Sequence, residues 1–190
     1  MSPPANISIR PYALDDIPRL FEAAIESREE LGRWLPWCHA GYSIEDSRQW
    51  VESQLAAFPS GTQYSFVIID AGNRLLGGGG LNYLDRPNLR ANLGYWVRSS
   101  DCRRGVAVAA VKLLVAWAFA NTDFCRLEVI ASVENVPSQR VAEKAGAVRE
   151  GVLRSRIKVQ DGMHDVVIYS FVRGSPNPAI PPVGSQPQLP

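Results

Sequence analysis

The chain has 190 residues, of which 46% are hydrophobic and 21% are charged. This composition is close to the globular average, which excludes a chain that is disordered throughout, and the length fits one domain. Twenty Lys and Arg residues balance nineteen Asp and Glu residues, giving a formal net charge of +1. We therefore expect neither a nucleic-acid partner nor an anionic membrane surface as a partner.

Cysteine and histidine are too few to suggest a metal site. The three cysteines are far apart in the sequence, and only two histidines accompany them. We expect no bound metal and reduced thiols, as in a cytoplasmic protein. No export signal is visible, and the longest apolar run, 106–120, contains Lys112 and is too short for a bilayer.

The first half of the chain predicts a strand, two helices and an antiparallel meander. Alternation in Ile7–Arg10 favours a short strand ended by Pro11. Asp15 is placed to cap a first helix, and Ser43–Asp46 resembles a capping box that opens a second helix. Three strands are then predicted, over 64–70, 75–84 and 91–97. The run Gly77–Gly80 falls inside the second of them and predicts a bulged or closely approached strand.

The second half predicts a long helix, a strand, a short helix and a final hairpin. The long helix runs from about Gly105 to Asn121, with an inward stripe expected at Val106, Ala110, Leu113, Trp117 and Ala120. A strand over 126–131 precedes a short helix over 137–145, which Gly146 should end in a left-handed conformation. The last strand is expected over 166–172, after a turn at Asp161–Gly162. This order indicates a mixed α/β domain.

The C-terminal segment differs in composition from the rest. Six of the seventeen residues from Gly174 to Pro190 are proline, and no apolar periodicity is present. Such a segment cannot bury enough apolar surface to offset its ordering entropy. We expect a domain over residues 1–173 and a disordered tail over 174–190.

One strand-to-helix loop has the features of a phosphate-binding site. The predicted strand that ends at Val97 leads into a polar loop that contains Arg103 and Arg104, and Gly105 then opens the long helix. The first turn of a helix has free backbone N–H groups and a partial positive charge, and a glycine allows a phosphate to approach them. The alternative is an ordinary turn with two solvated arginines. Cys102 lies near this helix start, which favours a lowered thiol pKa.

The segment from Glu134 to Ala147 contains the pattern Asn135-x-x-Ser138 followed by Glu143-Lys144-x-Gly146. Together with the loop at 102–107, it resembles the GNAT N-acetyltransferase superfamily, in the branch of RimJ and RimL that acetylates the N-termini of ribosomal proteins. The resemblance covers about residues 6–173. It implies a central mixed, splayed β-sheet flanked by helices, with acetyl-CoA held in the gap between two parallel strands.

The resemblance also implies a set of cofactor-binding residues. The pyrophosphate loop of the family falls on Cys102–Ala107, where Cys102 departs from the usual Gln or Arg. Asn135 matches the asparagine that binds the pantetheine arm, although a helix cap is its simpler role. Arg140 and Lys144 are placed to reach the 3′-phosphate, with solvated charges as the alternative. The expected cofactor-binding residues are Val97, Arg98, Arg103, Arg104, Gly105, Val106, Ala107, Asn135 and Lys144.

Catalysis in such proteins is direct attack of a neutral amine on the thioester. The resemblance implies that the amide of Val97 or its neighbour polarises the thioester and that Ser138 protonates the leaving thiolate, since Ala142 replaces a tyrosine of many relatives. Glu128 and Glu150 are candidate bases, with surface or ion-paired carboxylates as the alternative. A free α-amino group has a pKa of about 7.7–8.0, so water alone is a third alternative.

The resemblance implies an acetyl-CoA-dependent N-acetyltransferase whose acceptor is a primary amine, with a protein N-terminus favoured. Trp34, Trp37 and Tyr83 are expected to line the acceptor groove, with a place in the core as the alternative for the aromatic rings. Two functions compete with this one: acetylation of a small amine such as an antibiotic or polyamine, and an acyl-CoA-binding regulatory module without turnover. The resemblance also implies a homodimer, which proteins of this branch often form.

Overall fold

A computed structural model describes residues 7–159 and 162–175 of the chain. Within these ranges the backbone forms the strands β1 (Ile7–Pro11), β2 (Tyr64–Asp70), β3 (Leu75–Asp85), β4 (Arg90–Val97), β5 (Arg126–Ser132), β6 (Val148–Val159) and β7 (Gly162–Val172). The helices are α1 (Ile17–Glu26), α2 (Arg28–Gly32), α3 (Ile44–Ser60), α4 (Val106–Asn121) and α5 (Val136–Ala145).

The seven strands form one mixed sheet in the order β1-β2-β3-β4-β5-β7-β6. Neighbouring strands are antiparallel except β4 and β5, which run parallel. This parallel pair is in register only where Arg90–Asn92 lies opposite Arg126–Glu128. Beyond that point β4 continues to Val97 and β5 to Ser132 without pairing to each other, so the sheet opens into a gap. The structure confirms the splayed mixed sheet.

Helices cover both faces of the sheet. On one face the largest buried cluster includes Leu93 of β4, Leu114 of α4 and Ala142 of α5. On the other face Leu20 of α1 and Val51 of α3 pack with Tyr12, Ile17, Val67 and Leu75. Because side chains alternate along a strand, β4 contributes to both layers, with Tyr95 beside the first cluster and Trp96 beside the second.

The glycine run is an element of the sheet. A Cβ atom added to Gly77 would lie 2.2 Å from the carbonyl oxygen of Trp96, and one added to Gly80 would lie 2.0 Å from that of Tyr64. Neither position has room for a side chain, because the neighbouring backbones approach too closely. The register of β2 against β3 also shifts between Ile68 and Ile69. The expected bulged, closely approached strand is confirmed.

The predicted inward stripe of α4 is partly wrong. The structure buries Val106, Ala110, Val111, Leu114 and Ala118, whereas Leu113 is 36% exposed. Apart from Lys112 and the terminal Asn121, every residue of α4 is apolar. A helix that is apolar on nearly all sides has no face marked by its sequence, and the position of the sheet decides which side is buried.

Three other differences have local causes. The structure adds the one-turn helix α2, and it extends the final hairpin back to Val148, where β6 begins. β6 is an edge strand whose side chains are mostly exposed, so its sequence has no apolar alternation to signal a strand. Asp16, rather than Asp15, closes the turn before α1, since its carboxylate accepts a hydrogen bond from the Ala13 amide at 2.8 Å. Asp161 and residues 176–190 of the predicted tail lie outside the described residues.

Candidate active site

The start of α4 lies at the open end of the gap between β4 and β5. Gly105 precedes the helix with φ of +81°, and no side chain caps the first turn. The first amides of α4 therefore have no partner supplied by a capping side chain. The turn itself is fixed by the buried Asp101, whose carboxylate binds Arg74 at 2.5 Å and Arg104 at 2.8 Å. This combination of free amides and a rigid turn suits an anion such as a pyrophosphate.

The three predicted arginines have different surroundings. The Arg98 side chain is buried and forms ion pairs with Glu22 and Glu26 of α1, the second at 2.5 Å. Arg104 is held by Asp101, as described above. Arg103 is exposed, with φ of +60°, and no hydrogen bond or ion pair engages its guanidinium within the described part of the chain. Arg103 is thus the arginine of this loop that is available to a ligand.

Cys102 does not have the lowered pKa that its position suggested. Burial raises the pKa of the Cys102 thiol, and the carboxylates of Glu30 and Asp101 raise it further. The thiol also lies 3.5 Å from the carbonyl oxygen of Arg98, a weak donor contact. The expectation of an acidic thiol is wrong, because desolvation of the thiol, together with the two neighbouring carboxylates, outweighs the partial charge of the helix end.

The amide of Val97 faces the gap. The next amide, that of Arg98, donates to the Leu76 carbonyl oxygen of β3 at 2.7 Å. Successive amides of a strand point to opposite edges, so the Val97 amide is directed away from β3 and toward the opening beside β5. The structure thus places a backbone donor on the inner edge of the gap.

The start of α5 closes the gap from the other side. Asn135 caps this helix, because its Oδ1 accepts a hydrogen bond from the Ser138 amide at 3.2 Å. The Ser138 Oγ lies 3.0 Å from the hydroxyl of Tyr95, which also donates to the Ser138 carbonyl oxygen at 3.0 Å. A pair of hydroxyl groups therefore connects β4 with α5. Tyr95 is not among the residues predicted from the sequence, where its only signal is its place two residues before Val97.

Glu128 and Glu150, the two candidate bases, lie away from Ser138. Glu128 is opposite Asn92, where β4 and β5 are still paired, and Ser132 at the end of β5 is four residues, or about 13 Å, farther along the strand. Arg126 binds both Glu128 and Glu150, with N–O distances of 2.8 Å to each. The structure does not bring either carboxylate to Ser138.

The two cations of α5 and the three aromatic residues predicted for the acceptor groove lie in different parts of the structure. Arg140 and Lys144 are exposed on α5, without an ion pair inside the described ranges. Trp34 lies under the Arg33 guanidinium at 4.7 Å, and the Trp37 ring lies 5.7 Å from that of Trp96. Tyr83 is 86% exposed near the β3–β4 turn, at the closed end of the gap. Trp34 and Trp37 share one loop, whereas Tyr83 is apart from them.

The described residues contain neither a membrane-spanning helix nor a metal cluster. None of the helices in the described ranges is both long and apolar enough to cross a membrane. Across residues 7–159 and 162–175, no three His, Cys, Asp or Glu side chains are grouped as metal ligands would be.

Comparison with known proteins agrees with this geometry. A protein from Bacillus subtilis, named "Putative ribosomal N-acetyltransferase YdaF", is 29% identical over 88% of this chain and 92% of its own length. The ribosomal-protein-serine acetyltransferase of Escherichia coli is 24% identical over 88% of this chain and 93% of its own length. These relatives match nearly the whole described domain.

Solved structures show the same fold. RimL, the ribosomal L7/L12 alpha-N-protein acetyltransferase, in complex with coenzyme A, superimposes with a TM-score of 0.81 at 22% identity, over 90% of this chain and 96% of that chain. The family model described as "Acetyltransferase (GNAT) domain" matches residues 6–148, which is most of the chain. The chain therefore belongs to the GNAT acetyltransferase family and is an acyl-CoA-dependent acetyltransferase.

Proposed function

We propose that this protein transfers the acetyl group of acetyl-CoA to a primary amine, and that the acceptor is the α-amine of a protein N-terminus. The observation that carries the proposal is the gap between β4 and β5, with an uncapped helix start at its mouth and the Ser138 hydroxyl at its far side. The names of the relatives, which refer to ribosomal proteins, support the choice of acceptor.

The residues at the mouth of the gap fit the donor. The amides of Gly105, Val106 and Ala107 are placed to hold a pyrophosphate, since no capping side chain competes for this helix start. Arg103 adds a charged donor, and exposed Lys144 is a second cation for the 3′-phosphate. Asn135 keeps its side-chain amide NH₂ for the pantetheine arm, because only its Oδ1 is used in capping Ser138.

The chemistry needs two donors from this chain. Acetyl-CoA supplies an activated thioester, which a neutral amine attacks directly in a ternary complex. The Val97 amide donates to the oxygen that becomes negative, an arrangement that stabilises developing charge without reorganisation. The Ser138 hydroxyl donates a proton to the sulfur as it leaves and regains one from the water that has taken the proton of the attacking amine. Both groups line the same gap, one on β4 and one on α5.

No carboxylate is needed as a base in this proposal. The hydrogen bond from Arg126 lowers the pKa of Glu150, and Glu128 shares that guanidinium. A carboxylate of lowered pKa such as that of Glu150 accepts a proton poorly at neutral pH, and the Glu128 carboxylate is held in its ion pair with Arg126. An α-amine has a pKa of about 7.7–8.0, so water can remove its proton near neutrality, whereas a lysine side chain near 10.4 cannot lose one as readily. The arrangement thus favours α-amines.

The acceptor is expected to approach from the face that carries α1 and α2. Trp37 and Trp34 flank this face, and Trp37 contacts Trp96, which neighbours Val97 on β4. An extended N-terminal peptide can pack its first side chains on these rings while its amine enters the gap. A ribosomal acceptor places the reaction in the cytoplasm, and the homodimer of the RimJ and RimL branch remains part of the proposal.

The deciding experiment is an acceptor screen. The purified chain is incubated with acetyl-CoA and either a library of N-terminal peptides or a panel of polyamines and aminoglycosides, and products are identified by mass spectrometry. A gain of one acetyl group at peptide α-amines, absent with heat-denatured protein, is the expected result. Transfer only to small amines contradicts the acceptor assignment. Binding of coenzyme A by calorimetry without any product would identify a regulatory module instead.

A further inference from the structure

We propose that Tyr95 is a positioning residue for this reaction, and that its hydroxyl orients the Ser138 hydroxyl toward the leaving sulfur. This inference rests on the proposed role of Ser138 as the proton donor. Tyr95 lies on β4, whereas the proposed proton donor, Ser138, lies on α5.

The contact between the two residues is double. The Tyr95 hydroxyl is 3.0 Å from both the carbonyl oxygen and the Oγ of Ser138. A phenol has one proton to donate, and Tyr95 can share it between the carbonyl oxygen and Oγ, so the Ser138 hydroxyl keeps its own proton for the leaving sulfur. This pattern fixes the backbone and the side chain of Ser138 together.

Ser138 would otherwise be free to adopt other rotamers. A serine in the first turn of a helix usually bonds to nearby backbone groups, which competes with any other task of its hydroxyl. Here Asn135 already satisfies the Ser138 amide, so the Oγ is not required as a cap. Tyr95 thus directs a hydroxyl that the helix leaves available.

Tyr95 is well suited to hold a fixed orientation. Its ring packs against the cluster that includes Leu93, Leu114 and Ala142. Burial raises the pKa of Tyr95 to about 12, so the phenol stays protonated at physiological pH. It neither gains nor loses a proton during turnover and acts only through Ser138.

A double-mutant cycle tests the inference. We expect Tyr95→Phe to lower kcat about tenfold, which is about 1.4 kcal/mol, with the Kd for coenzyme A unchanged. In a Ser138→Ala background the same substitution should have no further effect on kcat, because the hydroxyl that Tyr95 orients is absent. Tyr64→Phe is the matched control, since no hydrogen bond of the Tyr64 hydroxyl is found in the described residues. It should leave kcat unchanged.

A second measurement does not depend on activity. Urea unfolding of the four proteins should show a lower midpoint for each single variant and, in the double variant, a shift smaller than the sum of the two single shifts, because both substitutions remove the same Tyr95–Ser138 Oγ hydrogen bond. Additive shifts of the urea midpoint would contradict the contact between Tyr95 and Ser138. The inference would be overturned if the two substitutions lowered kcat by factors that multiply in the double variant, or if Tyr95→Phe had the kcat of the wild type. If Ser138→Ala retains full turnover, the proton-donor role and this inference both fail. If the acceptor screen shows transfer to small amines alone, only the proposed acceptor is overturned. The double-mutant cycle is then measured with those amines as substrates.

Discussion

Glu128 and Glu150 lie on different strands, and both bind the guanidinium of Arg126. Glu128 is on β5 and accepts from the Arg126 Nε, whereas Glu150 is on β6 and accepts from a terminal nitrogen and from the Ser170 hydroxyl at 2.6 Å. β7 lies between these two strands in the sheet. The cluster therefore ties three strands together through side chains, and it gives both carboxylates a structural role in the sheet.

The first prediction concerns the pH dependence of stability. The hydrogen bond from Arg126 lowers the pKa of Glu150 in the folded chain. A lowered folded-state pKa contributes stability above the unfolded value, about 4.3, and this contribution is lost as the pH falls through the folded-state value. We expect Glu150→Gln to be less stable than the wild type at pH 7, with a difference that shrinks as the pH falls below about 4.3, as measured by urea unfolding.

The same variant separates a structural carboxylate from a base. The pH profile of kcat/KM for Glu150→Gln should keep the shape of the wild-type profile, because the acceptor amine sets it. If kcat/KM of Glu150→Gln no longer rises with pH, Glu150 is the base after all.

The second prediction concerns Ser138. Replacing it with alanine removes the proton donor but leaves the backbone amides of α4 in place. We expect kcat to fall by a factor of about 10²–10⁴, the usual contribution of general acid catalysis, with the Kd for coenzyme A within twofold of wild type, a change below about 0.5 kcal/mol. Stopped-flow or steady-state release of coenzyme A measures the first, and calorimetry the second. Unchanged turnover would exclude Ser138 as the acid.

The third prediction concerns Gly105. At φ of +81° an alanine is strained by about 1–2 kcal/mol, so the substitution should displace the turn that presents the first amides of α4 to the proposed pyrophosphate. We expect Gly105→Ala to weaken coenzyme A binding by about tenfold or more. Gly151→Ala is the matched control, because a Cβ at Gly151 meets nothing within 4 Å. Equal affinities of the two variants would contradict the binding role of this turn.

The fourth prediction separates Arg98 from the donor site. Its buried guanidinium is bound by Glu22 and Glu26, and removing one partner of such a group leaves charge without compensation. Since Glu22 is largely exposed, we expect Arg98→Met to cost about 2 kcal/mol of unfolding free energy, below the full range for a buried pair. The Kd for coenzyme A should stay unchanged in calorimetry. A weaker Kd at unchanged stability would return the Arg98 side chain to the binding site.

The fifth prediction tests which side of α4 faces the sheet. Leu114 is 1% exposed and Leu113 is 36% exposed. We expect Leu114→Ala to cost about 2–5 kcal/mol, as for other buried leucines. Leu113→Ala should cost about 1 kcal/mol or less, because part of its side chain already contacts water. Chemical denaturation of the two variants measures both, and equal costs would show that the helix is rotated about its axis.

The sequence was sufficient where local chemistry selects one structure. Ser43 opens α3 with its capping box, and Gly146 ends α5 in the left-handed conformation, because few residues allow these backbone angles. Gly105 and the motif around Asn135 and Ser138 likewise indicate, from the sequence alone, the donor site proposed above. These features depend on contacts within a few residues, which the order of amino acids defines.

Other features depended on which elements meet in space. The buried side of α4, the strand β6 and the hydroxyl pair of Tyr95 with Ser138 all follow from the packing of segments far apart in the chain. The same holds for Arg126, whose two carboxylate partners looked from the sequence like bases. The register of the strands and the gap between β4 and β5 decide which side chains meet across this sheet. Neither can be read from a local sequence pattern.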